Sequence, residues 1–128
     1  MLILHASLTV DEAIRETIGL IDVLWIDRQT GRIIAAFEVE KSTSIYSGIL
    51  RLSDLSVALP DHETRLWLVI PDKRQKEVIA QLLRPSFARK GGTKPAYLLF
   101  SDLAKHCDGI CRFGVGHEAL DKIAKTVG

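Results

Sequence analysis

Apolar and polar positions along this chain follow two distinct periods, and the switches between them outline its elements. Leu2–Leu4 is a short apolar run that predicts a strand. In VDEAIRETIG (10–19) acids fill the first turn, Thr9 or Asp11 offers a cap and Gly19 a stop, which predicts a helix. Two apolar, β-branched runs follow, IDVLWID (21–27) and IIAAFEVE (33–40), separated by RQTGR. A short polar turn with a glycine between such runs predicts a β-hairpin. Both runs are apolar on both faces, which predicts the middle of a sheet with helices on either side.

From Ser42 the period lengthens. Ile45, Gly48, Ile49, Leu52, Leu55 and Leu59 recur at three- and four-residue steps, predicting an amphipathic helix. Ser42, Thr43 or Ser44 can cap it, and Pro60 ends it. After a loop, PDHET (60–64), RLWLVIP (65–71) reads as a buried strand stopped by Pro71. Asp72 is expected to cap a helix over KRQKEVIAQLL (73–83), with Val78, Ile79, Leu82 and Leu83 on its apolar side. RPSFARKGGTKP (84–95) reads as a basic loop and PAYLLFS (95–101) as a strand. Ser101 begins a helical turn, and a glycine-punctuated stretch leads to a last helix near HEALDKIAKTV (117–127). Strands alternating with helices around one hairpin predict a three-layer α/β/α domain with a mixed central sheet. With no repeat or linker, residues 1–128 read as one domain.

Composition narrows the function classes. The net charge of +1 excludes a polycation, so nucleic-acid contact would come from local patches. Arg, Asp and Glu interrupt every apolar run before membrane-spanning length. MLILHASLTVDE is too short in its apolar part for a secretory signal, so a cytoplasmic protein is expected. His106, Cys107, Cys111 and His117 match no standard zinc-finger spacing, and the cysteines read as core or surface thiols.

The chemistry lies at the hairpin. Side chains repeat every two residues along a strand, so Glu38 and Glu40 point the same way. Antiparallel pairing around the RQTG turn brings Asp22 to their level. Three carboxylates at one sheet edge repel unless a cation offsets them. A hard ion such as Mg²⁺, with Mn²⁺ as substitute, takes one or two carboxylates plus water and phosphate oxygens. Such an ion supports phosphodiester hydrolysis. The plainer reading is a solvated strand end whose acids pair with Arg or Lys.

Asp22, fifteen residues, then Glu38-Val39-Glu40, on a hairpin followed by a helix and a strand, resembles the PD-(D/E)xK nuclease superfamily, the restriction-endonuclease-like fold. The resemblance covers about residues 20 to 100. It implies that Asp22 and Glu38 bind Mg²⁺, that Glu40 stands at the third motif position, usually Lys, as in known Glu-x-Glu variants, and that DNA is the substrate. Lys41 is then the candidate for orienting the attacking water, provided the strand bulges or ends at Glu40. Only Leu2–Leu4 and one helix precede Asp22: either the helix has changed place or the usual first element is shortened, and a shortened N-terminal element would leave an apolar face open and favour a homodimer.

Several cations are expected at the DNA. Arg51, with Tyr46, would touch a phosphate or order the acids. Lys73 and Arg74 sit at a helix start, the unfavourable end for cations, which suits an anionic partner. Arg84, Arg89, Lys90 and Lys94 gather around Phe87, which either stacks on bases or packs in the core. Glu16 is read as solvated, Trp25 and Trp67 as core, and GGTK (91–94) lacks P-loop order. Two functions follow: a metal-dependent DNA endonuclease, or a catalytically inactive module of the same fold that binds nucleic acid or dimerises.

Overall fold

A computed structural model describes residues 12–59, 64–88, 94–113 and 117–127. The strand expected at Leu2–Leu4, the caps Thr9 and Asp11, the shortened N-terminal element, Pro60 and most of the loop after it, Arg89, Lys90 and residues 91–93 lie outside them, as do the side chains of Cys107, Cys111 and His117. The elements are α1 (Glu12–Gly19), β1 (Val23–Ile26), β2 (Ile33–Val39), α2 (Ile45–Ala58), β3 (Arg65–Ile70), a 3-10 turn (Asp72–Arg74), α3 (Gln75–Leu82), α4 (Pro85–Ala88), β4 (Ala96–Leu99), α5 (Phe100–Phe113) and α6 (His117–Asp121). The fold is the expected mixed α/β arrangement. The strand order is β1-β2-β3-β4, antiparallel between β1 and β2 and parallel between the others.

Both faces of the sheet are covered, which is why its strands read as nearly continuous apolar runs. On one face Leu24, Ala36, Leu68 and Ile70 pack beneath Ile45, Ile49, Leu52 and Leu55 of α2, with Ile18 of α1 and Val78 of α3. On the other, Ala35, Phe37, Trp67 and Leu98 meet Leu120 of α6, with Leu103 of α5 alongside. Phe37 sits between Trp25 and Trp67, ring centroids 5.0 and 5.2 Å away. β1 lies at one end of the described sheet, not in its middle. Apolarity on both faces reports cover above and below; it carries no information on lateral neighbours.

The hairpin turn sets the register on which the acids depend. The Asp27 carboxylate accepts from the N–H groups of Gln29 and Thr30 at 2.8 and 3.2 Å. The Gly31 N–H reaches the Asp27 carbonyl at 2.9 Å, and Gly31 adopts a φ of 74°, open to glycine without strain. The pairing slips by one residue between Trp25 and Ile26, leaving Ile34 as the bulged residue, and then runs on to Val23 opposite Phe37. The next level brings Asp22 to Glu38.

Other local expectations resolve in specific ways. Ser44 is the α2 cap, accepting from the Ser47 N–H at 3.1 Å. Asp72 does not cap the helix that follows it. Its carboxylate accepts the Ser101 N–H at 3.1 Å and the Ser101 hydroxyl, serving the start of α5. Leu83 is exposed rather than part of the α3 apolar side, because the helix ends at Leu82 and the chain turns into α4. α4 interrupts the expected basic loop and buries Phe87. α5 is longer and α6 shorter than predicted, since Lys125 leaves the helical path to bridge Tyr97 through two 2.9 Å backbone hydrogen bonds. Among the described residues no helix is long and apolar enough to cross a membrane.

The α2–sheet interface is the main support for the site above it. Leu52 is fully buried there. Leu52→Ala is expected to lower stability by about 2–5 kcal/mol in urea unfolding.

Candidate metal centre

The site is built where β2 runs out beneath α2. Glu38 shares its strand face with Ala36, which packs under α2, so the alternation carries both glutamates toward that helix. Each is buried, at 0% and 1% exposure. Asp22 joins from the strand opposite. One of its oxygens, Oδ2, accepts from the Val39 N–H at 2.9 Å, standing in for the carbonyl that a longer β1 would supply. One carboxylate oxygen from each of Asp22, Glu38 and Glu40 lies within 4.8 Å of the others, as the hairpin register predicts.

Burying like charges demands compensation. Arg51, from the second turn of α2, donates from Nε to Glu38 Oε1 at 2.5 Å and from Nη2 to Glu40 Oε1 at 3.0 Å. The Thr43 hydroxyl donates to Glu40 Oε2. Glu38 Oε2 is buried and has no hydrogen-bond partner. Burial pushes the Glu38 carboxyl up to about 7; the adjacent Asp22 adds to this and Arg51 opposes it. Burial also raises Glu40, against the attraction of Arg51. With all three acids ionised, one guanidinium leaves two negative charges, which a divalent cation would offset. Asp22, Glu40, Thr43, Ser44, Ser47 and Arg51 line an open cleft of about 370 Å³ beside the cluster.

Two further residues shape the site. A β-carbon at Gly48 would lie 2.7 Å from Glu40 Oε1, so a glycine on the buried stripe of α2 makes room for the carboxylate. Arg74 Nη1 donates to the carbonyls of Glu40 and Thr43 at 3.0 and 2.7 Å, while its Nε and Nη2 meet Glu77. It thus holds the bend between β2 and α2. The sequence pattern assigns neither role: it places Gly48 only on the apolar stripe, and Arg74 as a phosphate contact. The available signal was a glycine inside a helix, which costs about 1 kcal/mol against alanine without a packing reason.

The remaining candidates lie around this centre. Lys41 is exposed on the bend just beyond Glu40, where the β2 alternation has ended. Tyr46 packs on Phe87, centroids 5.7 Å apart, and the Arg84 guanidinium lies 5.0 Å from the Tyr46 ring centroid. Lys73 is exposed at the 3-10 turn. Glu16 is exposed on α1 and outside the cluster.

Glu38 binds its proton more tightly folded than unfolded. Its contribution to stability is therefore complete below the ordinary carboxylate value of 4.5 and lost as pH rises through about 7. Metal-free protein is expected to melt at falling temperature between about pH 5 and pH 8, and Glu38→Gln to flatten that slope. Gly48→Ala should destabilise by about 1–3 kcal/mol despite alanine's better helix propensity, because the new methyl meets Glu40.

Comparison with known proteins adds one match. The family model described as Type II restriction enzyme NmeDI C-terminal domain matches residues 2–127. No curated protein and no solved structure matches the sequence. A match across nearly the whole chain, on a mixed α/β sheet consistent with the restriction-endonuclease-like fold, shows that the chain belongs to the family of the C-terminal domain of the Type II restriction enzyme NmeDI.

Proposed function

We propose that this chain is a divalent-metal-dependent DNA endonuclease domain of the PD-(D/E)xK type, hydrolysing phosphodiester bonds. The observation that carries the reading is the unpartnered, buried Glu38 Oε2 inside a cluster where Asp22 also stands. An acceptor without a donor, beside a second carboxylate, fits a cation, which would take the place of the proton that Glu38 otherwise shares with Asp22. Asp22, Glu38 and Glu40 would hold Mg²⁺, with Mn²⁺ as substitute. The bound ion supplies a lowered water pKa and an offset to phosphodiester charge.

The chain's own groups do the rest. Arg51 keeps the glutamates side by side. Lys41, just past the end of β2, is proposed to orient the attacking water. Lys73, Arg84 and Tyr46 would meet the DNA backbone near the cleft, with Arg51 and Arg74 behind them; Arg89 and Lys90, outside the described residues, are proposed as further backbone contacts. Contacts to phosphate fix position without reading sequence and weaken with salt. Residues 1–128 act as one domain in this reading, in the cytoplasm with its DNA, and two copies would pair to cut both strands.

A second reading has its own support. Arg51 bridges both glutamates, the pairing expected of a site that has given up its metal. The protein would then be a catalytically inactive nuclease-fold module that binds nucleic acid or dimerises.

Calorimetric titration with Mn²⁺ and cleavage of supercoiled plasmid in Mg²⁺ separate the two. The endonuclease reading expects ion binding by the native protein that Asp22→Asn and Glu38→Gln each abolish. It also expects cleavage to fall by more than the ~10–100-fold typical of outer-shell groups. Salt-sensitive DNA binding with neither ion uptake nor cleavage would establish the inactive module.

A further inference from the structure

The Arg51 guanidinium and the cation of the proposed centre draw on the same glutamates, and the atoms each takes decide whether they compete. Arg51 engages Oε1 of Glu38 and Oε1 of Glu40. Oε2 of Glu38 is buried with no partner. Asp22 stands beside Glu38, and its Oδ2 accepts from the Val39 N–H. Glu38 is therefore divided: Oε1 is held by the arginine and Oε2 is not.

The surroundings are shaped to this division. The glycine at position 48 leaves room for Glu40 Oε1, the atom that Arg51 Nη2 takes, where a β-carbon would sit 2.7 Å away. Glu40 Oε2 accepts from the Thr43 hydroxyl, whose hydrogen is free to rotate to another acceptor. The Arg51 side chain is two-thirds buried, so the packing around α2 holds its stem in place.

We infer that Arg51 is a positioning residue that stays bound when the cation arrives, sharing Glu38 and Glu40 with it through opposite carboxylate oxygens rather than being displaced. The inference rests on the reading in which Asp22, Glu38 and Glu40 hold a divalent ion. It gives the arginine a role that neither a phosphate contact nor a vestigial ion pair describes. The guanidinium fixes the rotamers of two mutually repelling carboxylates before the ion binds, so the ion meets a preformed set of oxygens.

The test uses the intact chain and Arg51→Met and Arg51→Lys variants. Mn²⁺ affinity is read by calorimetry, and the Arg51 side-chain Nε–H resonance by ¹H–¹⁵N spectroscopy with Mg²⁺. Sharing predicts that Arg51→Met weakens Mn²⁺ binding by about 10–100-fold. It predicts partial recovery in Arg51→Lys, which can hold one carboxylate but not both. It also predicts that the wild-type Nε–H signal keeps its hydrogen-bonded position at Mg²⁺ saturation. Unchanged or tighter binding in Arg51→Met, or a signal that moves to the position of a free guanidinium, overturns the inference and leaves the metal site standing. Absence of ion binding in the wild-type protein overturns both, and is seen before any variant is made. The spectroscopic arm needs no substitution, so it distinguishes sharing from displacement even where a variant fails to fold.

Discussion

Two carboxylates forced side by side in a buried strand end organise this molecule. Buried together, they repel more strongly than they would in water, and the surrounding structure has to offset that repulsion. The chain answers with an arginine from the helix above, a threonine hydroxyl at the bend and a proton held unusually tightly by Glu38. None of these works unless α2 crosses β2 at the right height. The apolar stripe from Ile45 to Leu55 is thus as much a part of the centre as the acids.

This dependence explains why a helix interior tolerates Gly48. Glycine weakens a helix through backbone entropy, and alanine would normally be the better choice. Here the alternative is a carbon pressed against Glu40 Oε1. A modest loss in helix propensity permits a buried ion pair, and the latter decides the residue. The same trade appears at Asp22, whose carboxylate ends the β1–β2 ladder by accepting from Val39 instead of facing water alone.

Much of this was legible in the residues, for physical reasons. The hairpin, α2 and β3 announce themselves by period, and the convergence of Asp22 with Glu38 and Glu40 follows from strand alternation plus the Asp27–Gly31 turn. What local pattern could not carry was anything set by a partner distant in sequence. Asp72 has the composition of a helix cap, yet its acceptor capacity goes to Ser101, on the far side of α3 and β4. Lys125 sits in a helical pattern and pairs with Tyr97 instead. Arg51 and Arg74 read as cations for an external anion, but both guanidinium groups are engaged inside the protein. A basic residue's partner is a matter of three-dimensional neighbourhood, and the one-dimensional pattern does not encode it.

Arg74 ties together parts that otherwise belong to different layers of the fold. One guanidinium grips the two carbonyls of the bend that carries Glu40 and, by its other edge, Glu77 in the first turn of α3. Its neighbour Lys73 is exposed, and α3 leads directly to Arg84. The outward-facing cations and the inward-facing acids are therefore mechanically in series. A load applied to the start of α3 therefore has, beside the shared core, a direct route through this planar group to the bend that carries Glu40.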